Sequence, residues 1–156
     1  MFRATRNFIK ARQPHTRYPL SVPKVRRIGG GKPNACFENA IAVEKSSKSG
    51  NTPAICVSGW LVQPYDMSSH STVIIQHYWN IDAMGKHFDS SPLNDRAEYV
   101  LDMGLYEFGK QNYARIKRNV TMILSYDDGT FSSLIDEAQF AFQNLSELAT
   151  EFLFIF

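Results

Sequence analysis

Ser71-Thr72-Val73-Ile74-Ile75-Gln76-His77-Tyr78-Trp79-Asn80-Ile81, then Asp82-Ala83-Met84-Gly85 and Lys86-His87-Phe88-Asp89, is the stretch on which the fold turns. Residues 71–81 are dense in β-branched and aromatic side chains, the composition of a strand. Asp82 to Gly85 reads as a turn, and Lys86 to Asp89 as the return strand of a hairpin. With a three-residue loop at Asp82 to Met84, Ile81 pairs with Gly85 and His77 lies opposite Asp89. A two-residue loop shifts the register by one and sends the two side chains to different faces.

Working outward, Pro53 to Gln63 reads as a second strand, carrying Ile55, Val57 and Trp60 to Val62. Loops flank it at Lys45–Thr52 and Pro64–Ser71. Before it, a helix is predicted from about Asn34 to Glu44. Asn34 stands at the N-cap, and Phe37, Ala40 and Ile41 form an apolar stripe at helical spacing. After the hairpin, Asp95 to about Lys117 is predicted helical, with Tyr99, Met103, Tyr106, Tyr113 and Ile116 as its inner face. Gly104 and Gly109 weaken that helix. Asn119 to Tyr126 reads as a strand closed by Asp127-Asp128-Gly129. Ser132 or Ser133 then caps a last helix with Leu134, Ala138, Phe142, Leu145, Leu148 and Phe152 on one side. The order predicts an α+β fold, a helix packed on a small antiparallel sheet with further C-terminal helices.

At 156 residues the chain reads as one domain over 29–156 preceded by an arm over 1–28. An apolar fraction of 44% with 21% charged residues is ordinary for a globular chain and excludes an unfolded one. No apolar run approaches the ~20 residues needed to cross a bilayer. The short apolar end, Phe152 to Phe156, reads as a core-packing segment. Two cysteines make no disulfide framework, and Cys56, in Ala54-Ile55-Cys56-Val57, reads as a small buried residue. Free thiols point to an intracellular, reducing compartment.

The formal charge of +2 conceals an asymmetry: residues 1–35 hold nine basic and no acidic residues, leaving eight basic and fifteen acidic in the rest. Phe2, Phe8 and Ile9 suit a short docked helix, and Pro14 to Pro23 should be extended. Such an arm can bind nucleic acid or an acidic protein, or lie across its own acidic body. It has the Arg-rich, acid-free character of a mitochondrial leader, but Pro14, Pro19 and Pro23 break any long amphipathic helix there.

The chemistry concentrates in Cys36, His77 and Asp89. Cys36 follows Gly29-Gly30-Gly31-Lys32-Pro33-Asn34-Ala35 and opens the predicted helix. A thiol reacts as thiolate, and a helix N-terminus favours that form while aiming backbone N–H groups at a developing oxyanion. A histidine base held by a carboxylate completes a nucleophilic triad. Asn34 and Asn39 are candidates to hold the oxyanion or substrate together with the Cys36 backbone N–H. Trp79 shares the face of His77 and is a candidate to line the site and exclude water.

Together, Cys36, His77-Tyr78-Trp79 and Asp89-Ser90-Ser91-Pro92 resemble the transglutaminase-like branch of the papain-like cysteine superfamily. The Gly-Gly lead into Cys36-Phe37-Glu38-Asn39 is also similar to the nucleophile region of arylamine N-acetyltransferases. The resemblance spans about residues 29–93. It implies a papain-like core with Cys at a helix N-terminus and His and Asp on adjacent strands. It implies acyl chemistry on a protein or small-molecule substrate without a cofactor. It departs in lacking a Trp after Cys36.

Other constellations are weaker. His70, His77, His87 and Cys36 lack the short ligand spacings of a metal site, so none is expected. Lys32-Pro33 does not complete a phosphate-binding loop. The sequence therefore leaves two functions open. One is a cysteine-dependent hydrolase, deamidase or acyltransferase. The other is a non-catalytic binding or inhibitory module whose basic arm contacts nucleic acid or an acidic partner.

Overall fold

A computed structural model describes residues 1–50, 52–64, 71–92, 96–105, 107, 123–127 and 130–133. Among the described residues, helices α1 (Arg3–Arg12) and α2 (Cys36–Ser47), a 3-10 turn at Gln13–His15 and a helical turn at 103–105 accompany seven strands. The strands are β1 (Val25–Arg27), β2 (Ala54–Pro64), β3 (Thr72–Asp82), β4 (His87–Asp89), β5 (Glu98–Leu101), β6 (Ile123–Asp127) and β7 (Thr130–Ser133). The fold is mixed α+β, as the sequence predicts.

β2 and β3 are the spine, antiparallel from Ala54↔Asp82 to Pro64↔Thr72. β5 adds to the free edge of β2, and the other edge of β3 is shared by β6 and β4. β1 closes that side by pairing parallel with β4, and β7 pairs with β6. Alternation along the strands splits the core in two. Trp60, Val62, Ile74 and Val100 face α1, where Ala4 and Phe8 join them. Val57, Leu61, Trp79 and Tyr99 make the second cluster on the opposite face. α2 lies against β2 and β3, fixed by Asn80 Nδ2 donating to the Ala40 carbonyl at 2.9 Å and by Phe37 edge-on to Tyr78.

Four expectations are corrected. Residues Glu98–Leu101 form a strand, not the start of a helix; their alternation buries Tyr99 and Val100 against β2, and pairing wins over helical spacing. Thr130–Ser133 form a strand, β7, where none was expected, so Ser132 and Ser133 lie in the sheet, paired with β6. Helix α2 starts at Cys36 and Ala35 holds its N-cap position, because Asn34 takes a left-handed turn at φ 53°. The hairpin register is Ile81↔His87 with Asp82 facing Lys86, two residues from the expected one. A shift of two preserves the faces. Of the rest of the predicted 95–117 helix, residues 103–105 and 107 are helical, while 106 and 108–117, the Asp128-Gly129 turn, His70, the last helix and the Phe152–Phe156 segment lie outside the described residues.

The basic arm lies on its own body. Phe8 is fully buried, its ring edge-on to Trp60 at 5.3 Å. Glu98 on β5 accepts from Phe2 N–H at 2.8 Å and from the Thr5 hydroxyl at 2.6 Å, supplying the carboxylate that the first turn of α1 lacks. The buried Arg12 donates through Nε to Asp102 at 3.1 Å.

Candidate active site

Three chain segments meet at the carboxyl end of β4. Continuing the hairpin register puts Asp89 diagonal to His77 on one face of the sheet, within reach of a long side chain. His77 donates through Nε2 to Asp89 Oδ2 at 2.7 Å, and both residues are buried. That leaves Nδ1 as the nitrogen that can meet Cys36.

The glycine-rich lead is stitched to the same place. Ile28 N–H donates to the Asp89 carbonyl and Gly31 N–H to the Ser90 carbonyl, each at 2.8 Å. Asn39, one turn into α2, clamps the loop from the other side. It accepts from Lys32 N–H and donates to the Lys32 carbonyl, both at 2.9 Å, with Ser91 Oγ at 3.4 Å. Gly31 has no room for a side chain: a Cβ there would stand 2.6 Å from Asn39 Nδ2 and 2.7 Å from the Ser90 carbonyl. These contacts deliver Cys36, half-buried as the first residue of α2, to the imidazole. No side chain caps that helix, so its first-turn N–H groups are not taken up by a capping oxygen.

Asp89 carries more than the histidine. Its Oδ2 also accepts from the Tyr99 hydroxyl at 2.8 Å, and its Oδ1 from Ser91 N–H at 2.7 Å. Burial alone would raise the carboxyl pKa, but the bonds from His77, Ser91 and Tyr99 outweigh it and hold Asp89 below the ordinary range. Burial likewise opposes charge on His77, and hydrogen bonds with Asp89 and Cys36 overcome it, raising the imidazole to about 9. Burial, then the neighbouring Asp89 charge, push the Tyr99 phenol up, so it stays a donor.

Trp79 has no exposed surface and stacks beside His77, with ring centres 6.3 Å apart at 18°. Its indole N–H donates to His87 Nδ1 at 2.9 Å. Burial lowers the His87 pKa, Asp82 offsetting it in part, which keeps that acceptor neutral. Trp79 therefore shields the imidazole from behind. Asn34 is exposed at the surface, two residues before the thiol. Tyr78 is half-buried beside Phe37, and its hydroxyl accepts from Gln76 Nε2 at 2.7 Å.

The structure thus brings Cys36, His77 and Asp89 together, with Asn39 and Trp79 holding the parts in place. Sequence reasoning missed Tyr99 and the backbone of Ser90 and Ser91. The run of β-formers Tyr99-Val100-Leu101 was the signal for Tyr99, once read as a strand. Cys56 is buried on β2, and burial, with Glu44 and Cys36 nearby, pushes its thiol up to about 12. Among the described residues no three His, Cys, Asp or Glu gather as a metal would need, and no helix is long and apolar enough to cross a membrane. No family model, curated protein or solved structure matches this chain.

Proposed function

We propose that this protein is a cysteine-dependent acyl-transfer enzyme in which Cys36 is the nucleophile, His77 the proton carrier and Asp89 its orienting carboxylate. The observation that carries the reading is the buried 2.7 Å His77–Asp89 pair set against a thiol at an uncapped helix N-terminus. Cys36 Sγ adds to the carbonyl carbon of an amide or thioester. The developing oxyanion is met by the first-turn N–H groups of α2, donors that need no reorganisation. As the C–N or C–S bond breaks, His77, protonated at neutral pH, gives its proton to the leaving amine or thiol. Water or an amine then attacks the thioester, the freed imidazole takes its proton, and Cys36 Sγ leaves as the thiolate in which it attacked, beside the re-formed imidazolium.

The same residues bear the resemblance to the transglutaminase-like branch of the papain-like superfamily, whose mechanism this would be. Substrates are the acyl groups of proteins or small molecules, and no cofactor enters the steps. Free Cys36 and Cys56 suit a reducing compartment.

The test is acylation. Incubation with a panel of acyl thioesters and activated esters, read by intact mass, should show a Cys36 acyl adduct that turns over. Cys36→Ala should abolish the adduct, and His77→Ala should slow turnover by about 10²–10⁴-fold. A Cys36→Ala protein that turns the panel over at the wild-type rate would sink the reading.

A further inference from the structure

The outward face of α1 is electrostatically unusual. Arg3, Arg6 and Lys10 recur in steps of three and four, so they form one stripe along the helix. All three are exposed, while Ala4, Thr5, Phe8 and Arg12 bury the opposite side. Among the described residues none of the three makes an ion pair. The helix contains no acid at all. Two of these cations stand in the first two turns, towards the positive end of the helix dipole, and each faces a like charge three or four residues away. Glu98, the carboxylate nearest that end, is spent on Phe2 N–H and the Thr5 hydroxyl. The chain beyond α1 continues the pattern with exposed Arg17, its guanidinium 4.9 Å above the Tyr18 ring.

Arg3 and Arg6 thus stand against both the helix dipole and a neighbouring like charge, while Lys10 suits the last turn. Departures of this kind mark functional surfaces rather than stabilising ones. We propose that the Arg3–Arg6–Lys10 stripe docks the phosphate backbone of nucleic acid. The stripe has no exposed apolar residue between its cations, so it lacks the central anchor that protein interfaces are built on. Phosphate contacts require none. Insertion into a membrane needs the apolar side of the helix, and that side is already committed to Trp60, Val62 and Ile74. This docking is independent of the chemistry at Cys36.

Fluorescence anisotropy of the full chain with a labelled duplex of about 20 base pairs, between about 50 and 200 mM salt, tests it. Three phosphate contacts should give a slope of log affinity against log salt of about −3. The variant Arg3→Gln/Arg6→Gln/Lys10→Gln should bind at least about tenfold more weakly at the lowest salt and flatten that slope. It should melt no lower than wild type, because it removes repulsion. Cys36→Ala should bind the duplex as wild type does, so failure of the acyl-transfer reading leaves this result standing. The proposal is overturned by absence of saturable binding at the lowest salt, or by equal binding of the triple variant. It is equally overturned if poly-glutamate binds as tightly as the duplex, or if the variant melts lower and the cations therefore serve the fold.

Discussion

His77 and Asp89 keep opposite charges inside the protein because each is paired and hydrogen-bonded, with Tyr99 and Ser91 occupying the remaining carboxylate positions. That pairing makes stability depend on pH. The folded-state pKa of His77 is raised from 6.5 to about 9, so its contribution is fully present below about pH 6.5 and is lost as pH rises through 9. Asp89 is lowered from 3.8, so its contribution is present above that value and is lost as pH falls further. The pair should therefore stabilise most between about pH 4 and 6.5. Urea unfolding at pH 5, 7 and 9 should show wild type losing on the order of 3 kcal/mol more than His77→Gln across that range. Parallel pH dependences for the two proteins would contradict the assignment. Cys36, His77 and Asp89 were legible because each sits in its own local context: a glycine-rich helix start, a β-rich run and a post-turn strand. Asn34 was not, because asparagine serves both caps and left-handed turns and only the backbone decides between them.

Gly59 shows how an element constrains the site. It faces His77 across the β2–β3 ladder, and a Cβ there would collide with the Val100 carbonyl and stand 2.7 Å from Trp79 Cη2. Gly59→Ala should cost about 1–3 kcal/mol in chemical denaturation and alter the tryptophan near-ultraviolet dichroism. Wild-type stability and spectrum would show that the Trp79 ring has room to move. β2 and β3 were readable because their β-branched and aromatic content points one way. β1 was not: Val25-Arg26-Arg27 is too short to declare itself and is a strand only because it pairs with the edge of β4. β5 was misread because Tyr99 and Met103 also fall at helical spacing, and only the partner strand settles the matter. The hairpin register erred by two residues, an even number, which is why the face relationship of His77 and Asp89 was still expected.

For the whole molecule, the arm is part of the core rather than an appendage. Arg12 and the indole of Trp60 both donate to Asp102 Oδ2 at 3.1 Å, and Leu105 N–H reaches Oδ1 at 3.2 Å. Asp102 is fully buried, so losing Arg12 strands a carboxylate away from water. Arg12→Met should cost about 3–5 kcal/mol in thermal or chemical unfolding, far more than an exposed basic residue of the same arm. A loss below about 1 kcal/mol would mean that α1 is not fastened there. The charge asymmetry of the sequence announced both possibilities for the arm. The composition does not say which cations turn inward; burial of Arg12 and exposure of Arg3, Arg6 and Lys10 follow from the position of Phe8 on the same helix.

The central claim is that His77, held by Asp89, activates Cys36. The most direct measurement is the rate of iodoacetamide labelling at neutral pH, resolved by peptide mass spectrometry, for wild type, His77→Ala and Asp89→Asn. The account predicts fast labelling at Cys36, none at the buried Cys56 of the folded protein, and a Cys36 rate reduced about tenfold or more in either variant. Slow labelling of Cys36 in wild type, or a rate that neither substitution changes, would contradict it.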